Sequence, residues 1–437
     1  MLRPVIVKGA VTLFFLLCNL TDATATVTLA AEKIFDLSQA VEFALQNNGE
    51  LKALREELGI REAGRIRAGL YPNPVLEMEG TTGELMGSRF ENALSVGISQ
   101  EFLTAGKREK RLQVAVKERE SFARQIDNAS RLLSAEVKTI FSDLLLAEKR
   151  TGLAGRSLAL NAQLLRVAKE RFAAGDIPEL EVNLARVEVA RSEGRKVEAE
   201  RDLHPAKARL FALMGFSPGE EVGFSGTLEE GHRADSLSDL IEAALAKRPD
   251  LQALEAEKAK SDAEIALAKA ERTPNVTAGF GLRREYTAIE VGENDVKDQD
   301  NLIGLKVSIP LPLFDRNQAG IREAQARRGS AGNRYLFARK TIAREVEAAY
   351  ARLKTAEKSL SIYAKDIIPQ LEENLQLVQE AYRLGEVGIL TVIEEQKKFF
   401  EVNDSYLAAL HDRRTVLVKL ETAVGVDLHA ESPGGKK

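Results

Sequence analysis

The chain has 437 residues, enough for a large buried core or several subdomains. Charged residues make up 29% and aromatics only 5%, with no Trp, a balance that favours long helices over a compact enzyme core. The formal net charge is -4, and basic runs such as Lys107–Arg111 are interleaved with Glu, so nothing marks a nucleic-acid surface. At the N-terminus Arg3 and Lys8 precede an apolar run, Ala10 to Cys18, and a small-residue stretch, Thr21 to Ala31. That order predicts a secretory signal peptide over residues 1–31, with Ala23-Thr24-Ala25 or the Ala30-Ala31 pair as the cleavage zone. Cys18 is the only cysteine, so a processed chain can form no intrachain disulfide and no thiolate metal site. Leu17 before it is bulkier than the small residue that lipid attachment usually requires. His204, His232, His411 and His429 are scattered without metal-ligand spacing and read as surface or loop residues; no metal or cofactor is expected. No later segment reaches the roughly 18 to 20 apolar residues of a membrane helix. A mature chain that spans a membrane must therefore do so with strands.

Beyond the leader, the chain is written twice. Leu37-Ser38-Gln39-Ala40-Val41-Glu42-Phe43-Ala44-Leu45 returns 200 residues later as Leu237-Ser238-Asp239-Leu240-Ile241-Glu242-Ala243-Ala244-Leu245. Pro74 meets Pro274 at the same offset, and farther on Phe172-x-x-Gly175 meets Tyr382-x-x-Gly385 at an offset of 210. An ordered series at a nearly constant offset predicts two repeats, 32–230 and 231–430, and a flexible tail over 431–437. In each repeat a helix opens behind a Ser cap, Ser38 or Ser238, and runs to a proline-marked stop at Tyr71-Pro72-Asn73-Pro74 or Thr273-Pro274. Two strands follow, near 74–80 and 92–103 in the first repeat and near 274–286 and 301–313 in the second. A long helix, about Lys107–Arg171 or Gln318–Tyr382, then reaches a Gly break, and a second helix ends at Gly215 or Gly425.

The strand candidates alternate. Leu94, Val96, Ile98 and Phe102 are interleaved with Ser95, Gly97, Ser99 and Glu101. Val276, Ala278, Phe280 and Leu282 are interleaved with Thr277, Gly279 and Gly281, while Ile303, Leu305, Val307, Ile309 and Leu311 follow the same rule. Leu76 and Met78, between Glu77 and Glu79, are the shortest case. A half-buried soluble sheet and a transmembrane barrel share this period. Polar, Gly-containing loops at Gly80–Glu91 and Thr287–Asp300 favour the barrel. Four strands cannot close one, and an open edge cannot sit in lipid, so several copies must share it. The long helices carry apolar residues at three- and four-residue steps, such as Val137, Ile140, Phe141 and Leu144, and at about 65 residues each would reach roughly 100 Å. Helices of that length need neighbours throughout, as in a coiled-coil tube.

The opening Leu37–Leu45, Asn73-Pro74, the run Ile309-Pro310-Leu311-Pro312-Leu313-Phe314-Asp315-Arg316-Asn317 and the paired Gly turns together resemble the TolC family of outer-membrane efflux proteins, over nearly the whole mature chain. Gln100–Arg108 and Leu313–Gln318 look most like its cobalt–zinc–cadmium resistance branch. The resemblance implies a mainly α fold with a membrane β-barrel portion: a homotrimer, with four strands per protomer in a shared twelve-stranded barrel and a long α-helical periplasmic barrel. It implies a passive exit duct in the outer membrane of a Gram-negative bacterium, partnered by a periplasmic adaptor and an inner-membrane resistance-nodulation-division transporter, with heavy-metal cations as cargo. Drug efflux and type I secretion ducts share the architecture. By the same resemblance the helix tips meet the adaptor, through Phe172, Gly175 and Asp176 on one side and Tyr382, Arg383, Gly385 and Glu386 on the other. Just inside the second tip Glu394 matches an acid that symmetry would turn into a constricting ring, whereas Thr391 stands where another acid often occurs. Glu394 and Glu395 as solvated helix charges is the plainer reading. Glu77, Glu79 and Glu101 are expected to face the barrel lumen, and a carboxylate ring would attract and pass cations. No G-x-S-x-G, P-loop, H-E-x-x-H or dinucleotide fingerprint argues for an enzyme. A soluble periplasmic coiled-coil scaffold would explain the helices and leader, and leaves the four alternating strands without a role.

Overall fold

The computed structural model describes residues 34–86, 91–217, 219–220, 222–229, 231, 235–291 and 294–428. The expected signal peptide with Cys18, the tail over 431–437, His232 and His429 lie outside these residues. The first repeat begins with a two-residue strand β1 (Ile34–Phe35) and helix α1 (Leu37–Asn47). Its cap is Asp36 rather than Ser38: the Asp36 carboxylate accepts from Gln39 N at 2.8 Å, and Gln39 Oε1 accepts from Asp36 N in return. Such a reciprocal pair satisfies two of the first turn's free N–H groups, which a lone Ser38 could not. The expected single helix then breaks at Asn48, whose side chain caps α2 (Gly49–Gly69) by accepting from Leu51 N.

Strands β2 (Val75–Thr82) and β3 (Asn92–Phe102) follow, then α3 (Lys107–Ala174), α4 (Glu179–Met214) and the two-residue β4 (Gly223–Phe224), which pairs in parallel with β1. The second half repeats the order: α5 (Leu237–Lys247), α6 (Pro249–Glu271), β5 (Val276–Val291), β6 (Asn294–Ser308) and α7 (Gln318–Ile362). Ser236, not Ser238, caps α5. Arg248 separates α5 from α6 because Pro249 drives the preceding residue to extended backbone, here φ -63 and ψ 123. Between α7 and α8 (Ile368–Leu384), the expected continuous helix passes through one π turn, Tyr363–Ile367. Pro369 has no N–H to give and would crowd the carbonyl four residues back, so the ladder widens there. Helix α9 (Ile389–Val424) completes the chain. At 1.5 Å per residue, the 68 residues of α3 span about 100 Å.

The four long strands form one antiparallel sheet in the order β2-β3-β5-β6. The second hairpin is longer than expected: residues 287–300, read as a loop, continue the ladder to the Val291–Asn294 pair, because Thr287, Ile289, Val291 and Val296 are β-branched and suit a pleated backbone. The strand expected to run to 313 stops at Ser308, since Pro310 and Pro312 cannot donate to a ladder. The register puts Leu76, Ile98, Phe280 and Leu305 in one row, and Met78, Val96, Leu282 and Ile303 in another on the same face. Leu305 is 84% exposed, Met78 69% and Leu76 65%. Leaving each such side chain in water forgoes about 1.5–3 kcal/mol, so this face requires an apolar surrounding.

The cores lie elsewhere, along the helices. Phe35, Val137, Phe141, Leu144, Leu210 and Met214 join α1, α3 and α4 around the β1–β4 pair. Leu240, Ile342, Val346, Leu353, Leu417 and Leu420 join α5, α7 and α9. Among the described residues, no helix is long and apolar enough to cross a membrane.

Candidate functional site

Two regions draw the sequence-predicted residues together: the helix tips remote from the sheet, and the polar face of the sheet. At the first tip α3 stops on Gly175, with φ +87, and Asp176 N donates to Arg171 O at 2.9 Å. At the second, α8 stops on Gly385, with φ +86, and Glu386 N donates to Ala381 O at 2.9 Å. The left-handed backbone closes both turns, and glycine adopts it without the steric penalty of a Cβ. Leu164, Ala168, Ile177, Val182, Tyr382, Ile389, Val392 and Ile393 pack the two hairpins against each other.

Phe172, Gly175, Asp176, Arg383, Gly385 and Glu386 are exposed around these turns. Tyr382 is not: it is 1% exposed and works inside the tip. Its hydroxyl donates to Glu181 Oε2 on α4 at 3.3 Å, while Arg171 donates to its carbonyl at 2.8 Å and lies over its ring at 5.0 Å. Burial, reinforced by the Glu181 charge, pushes the phenol up to about 12 despite Arg171, so the hydroxyl stays a donor throughout the physiological range. Glu181 and the bridging role of Arg171 escaped the sequence reading. Their partners lie about 200 residues away, and helical periodicity carries no trace of such a pairing.

Glu394 is exposed on α9, on one face with Thr391 and Lys398, while Val392, Ile393, Gln396 and Phe399 are buried opposite. Glu395 is half-buried, with Lys398 Nζ at 4.0 Å. His411 departs from the surface reading: it is partly buried in α9, with Nε2 2.7 Å from Asp143 Oδ1 on α3.

At the sheet, Glu77, Glu79 and Glu101 share one face with Ser95, Gly97, Ser99, Thr277, Gly279, Gly281, Gly304 and Lys306. Ser99 Oγ donates to Glu77 Oε1 at 2.9 Å, Lys306 Nζ lies 3.4 Å from Glu77 Oε2, and Asn275 Nδ2 donates to Glu101 Oε1 at 2.6 Å. One face is therefore apolar, and the other is charged, hydroxylated and glycine-rich.

The model of the family described as outer membrane efflux protein matches residues 40–216 and 240–426. The chain belongs to the outer membrane efflux protein family. This outer membrane efflux protein is 26% identical to the cobalt-zinc-cadmium resistance protein CzcC of Cupriavidus metallidurans, over 89% of this chain and 90% of that one. It is 27% identical to the nickel-cobalt-cadmium resistance protein NccC of Alcaligenes xylosoxydans xylosoxydans, over 61% of this chain and 58% of that one. Its fold is that of the crystal structure of CusC, a transmembrane channel, with a TM-score of 0.72 and 19% identity over 90% of this chain and 92% of that one.

Proposed function

We propose that this outer membrane efflux protein is the passive exit duct of a tripartite pump for heavy-metal cations, acting as a homotrimer with no catalytic step of its own. The observation that carries the reading is the four-stranded sheet at the end of helices about 100 Å long, one face apolar and its outer strands β2 and β6 left as edges. An open edge in hydrocarbon leaves N–H and C=O groups without partners, at several kcal/mol each, and closure with further copies removes it. Three copies would supply the twelve strands that the family resemblance implies. The helices then line the periplasmic tunnel, fed by an adaptor and an inner-membrane resistance-nodulation-division transporter.

Division of roles along the chain follows. Residues 1–31 direct export, and the repeats over 32–230 and 231–430 each give the trimer one strand hairpin and one helical hairpin. Phe172, Gly175, Asp176, Arg383, Gly385 and Glu386 stand where an adaptor can reach them, Tyr382 braces the tip from within, and Glu394 narrows the entrance. Glu77, Glu79 and Glu101 line the barrel lumen. The metal cargo rests on the similarity to the cobalt-zinc-cadmium and nickel-cobalt-cadmium resistance proteins.

Deleting the gene and scoring growth on zinc, cobalt, cadmium and a panel of drugs tests this. Metal sensitivity, restored by the wild-type gene, is expected. Loss of drug tolerance alone would overturn the cargo, and recovery of the protein from the soluble periplasm without detergent would overturn the duct.

A further inference from the structure

Glu77 and Lys306 stand on the two edge strands, β2 and β6, with β3 and β5 between them. Three strand spacings of about 4.8 Å separate the edges by roughly 14 Å. The two side chains lean toward each other over β3 and β5 and meet at 3.4 Å, a chord across the face that carries the glycines. The floor beneath them is glycine. A Cβ at Gly97 would stand 3.2 Å from Phe280 O, one at Gly281 3.3 Å from Val96 O, and one at Gly279 3.3 Å from Ile98 O and from Ser99 Cβ. Side chains at these positions would crowd the wall and fill the space the chord crosses. Ser99 holds the other carboxylate oxygen of Glu77 at 2.9 Å and so fixes the end that Lys306 meets.

Stability does not explain this arrangement, because both groups are substantially exposed and solvent-screened pairs of this kind add little. The field does. Glu77, Glu79 and Glu101 share the face, and Arg283, which also points to it, has Glu285 at 3.3 Å. Lys306 is the cation brought to Glu77. A carboxylate-lined passage without counter-charge holds divalent cations, whereas conduction needs binding weak enough to release them. We propose that Lys306 is a specificity-determining residue of the barrel lumen: by occupying Glu77 across the glycine floor it keeps that carboxylate from retaining divalent cations on their way out. The inference rests on the duct reading above.

The purified full-length protein in planar bilayers tests both separately, with KCl as the conducting salt and zinc ion as the probe. Lys306→Met is expected to raise the cation-to-anion permeability ratio about threefold, as a change of roughly half a kT in lumen potential does when it acts oppositely on the two ions. It should also deepen block of the potassium current by zinc. Glu77→Gln should lower the ratio, and Lys306→Arg should leave both quantities at wild type. A conducting Lys306→Met channel with wild-type ratio and zinc block overturns the role of Lys306. If Lys306→Met does not insert, Glu77→Gln decides alone: an unchanged ratio then overturns the proposal. A wild-type protein that never conducts overturns the duct reading instead.

Discussion

Single residues fix the turns on which the long helices depend, and they do so with unequal latitude. Gly175 and Gly215 both lie in the left-handed region, at φ +87 and +77. Around Gly175 the space is open, whereas a Cβ at Gly215 would stand 2.8 Å from Asn47 O. Gly175→Ala should therefore cost only the backbone strain, about 1–2 kcal/mol. Gly215→Ala adds a collision with main chain and should cost more, on the order of 3 kcal/mol. Thermal loss of the helical circular-dichroism signal in detergent measures both, and equal midpoints would refute the distinction. Tyr382 offers a second test. Its phenol is raised to about 12, so its contribution to stability is complete below the ordinary value of 10 and is lost as pH rises through about 12. Burial raises the Tyr406 phenol as well, so ultraviolet titration of the folded protein should show more than one late-ionising tyrosine, and Tyr382→Phe should remove the component near 12. A variant that keeps that component would disprove the assignment.

Between elements, the join of α5 and α6 to the end of α9 is made by two arginines. Arg248 donates to Asp250 at 3.0 and 2.6 Å, to Glu345 at 2.7 Å and to the Ala423 carbonyl at 3.0 Å, while Arg131 donates to the Thr422 carbonyl. Both thus meet the carbonyl end of α9, where the helix dipole favours positive charge. Burial would push the Asp250 carboxyl up, yet the bonds and charge of Arg248, with Arg131 behind it, hold it below the usual carboxylate range. That contribution is present above the ordinary value of 3.8 and is lost as pH falls through the lower folded value. Arg248→Met should cost on the order of 3 kcal/mol and flatten the acid limb of the melting profile; a variant with an unchanged acid limb would argue against the network. None of this was legible in the sequence, where Arg248 is one charge among many. Alternation of apolar residues revealed all four strands, Gly the turns at the helix tips and Pro the helix stops before the strands, because those signals are local. The break at Asn48 and the extra length of the second hairpin rest on short-range contacts, a side-chain cap to Leu51 and a ladder among residues 287–300, that carry no apolar period. The Arg171–Tyr382–Glu181 contact and the reach of Lys306 to Glu77 depend on partners distant in the chain, which a periodicity cannot name.

Across the whole molecule, the two halves share an element order but interlock instead of standing side by side. The sheet places β3 against β5, so Phe102 pairs with Val276 and Asn92 with Tyr286. That pairing sets a timetable. The first hairpin emerges with its β3 edge bare, and α3 and α4 must follow before β5 exists to cover it. A loop of that length adds little to the closure entropy, since the cost grows only logarithmically. It does add waiting time, during which an apolar two-stranded ribbon is exposed to any other strand it meets. Insertion into the outer membrane must therefore come after synthesis of nearly the entire second hairpin, and a nascent chain cut short between residues 215 and 276 carries half a sheet with nowhere to put it.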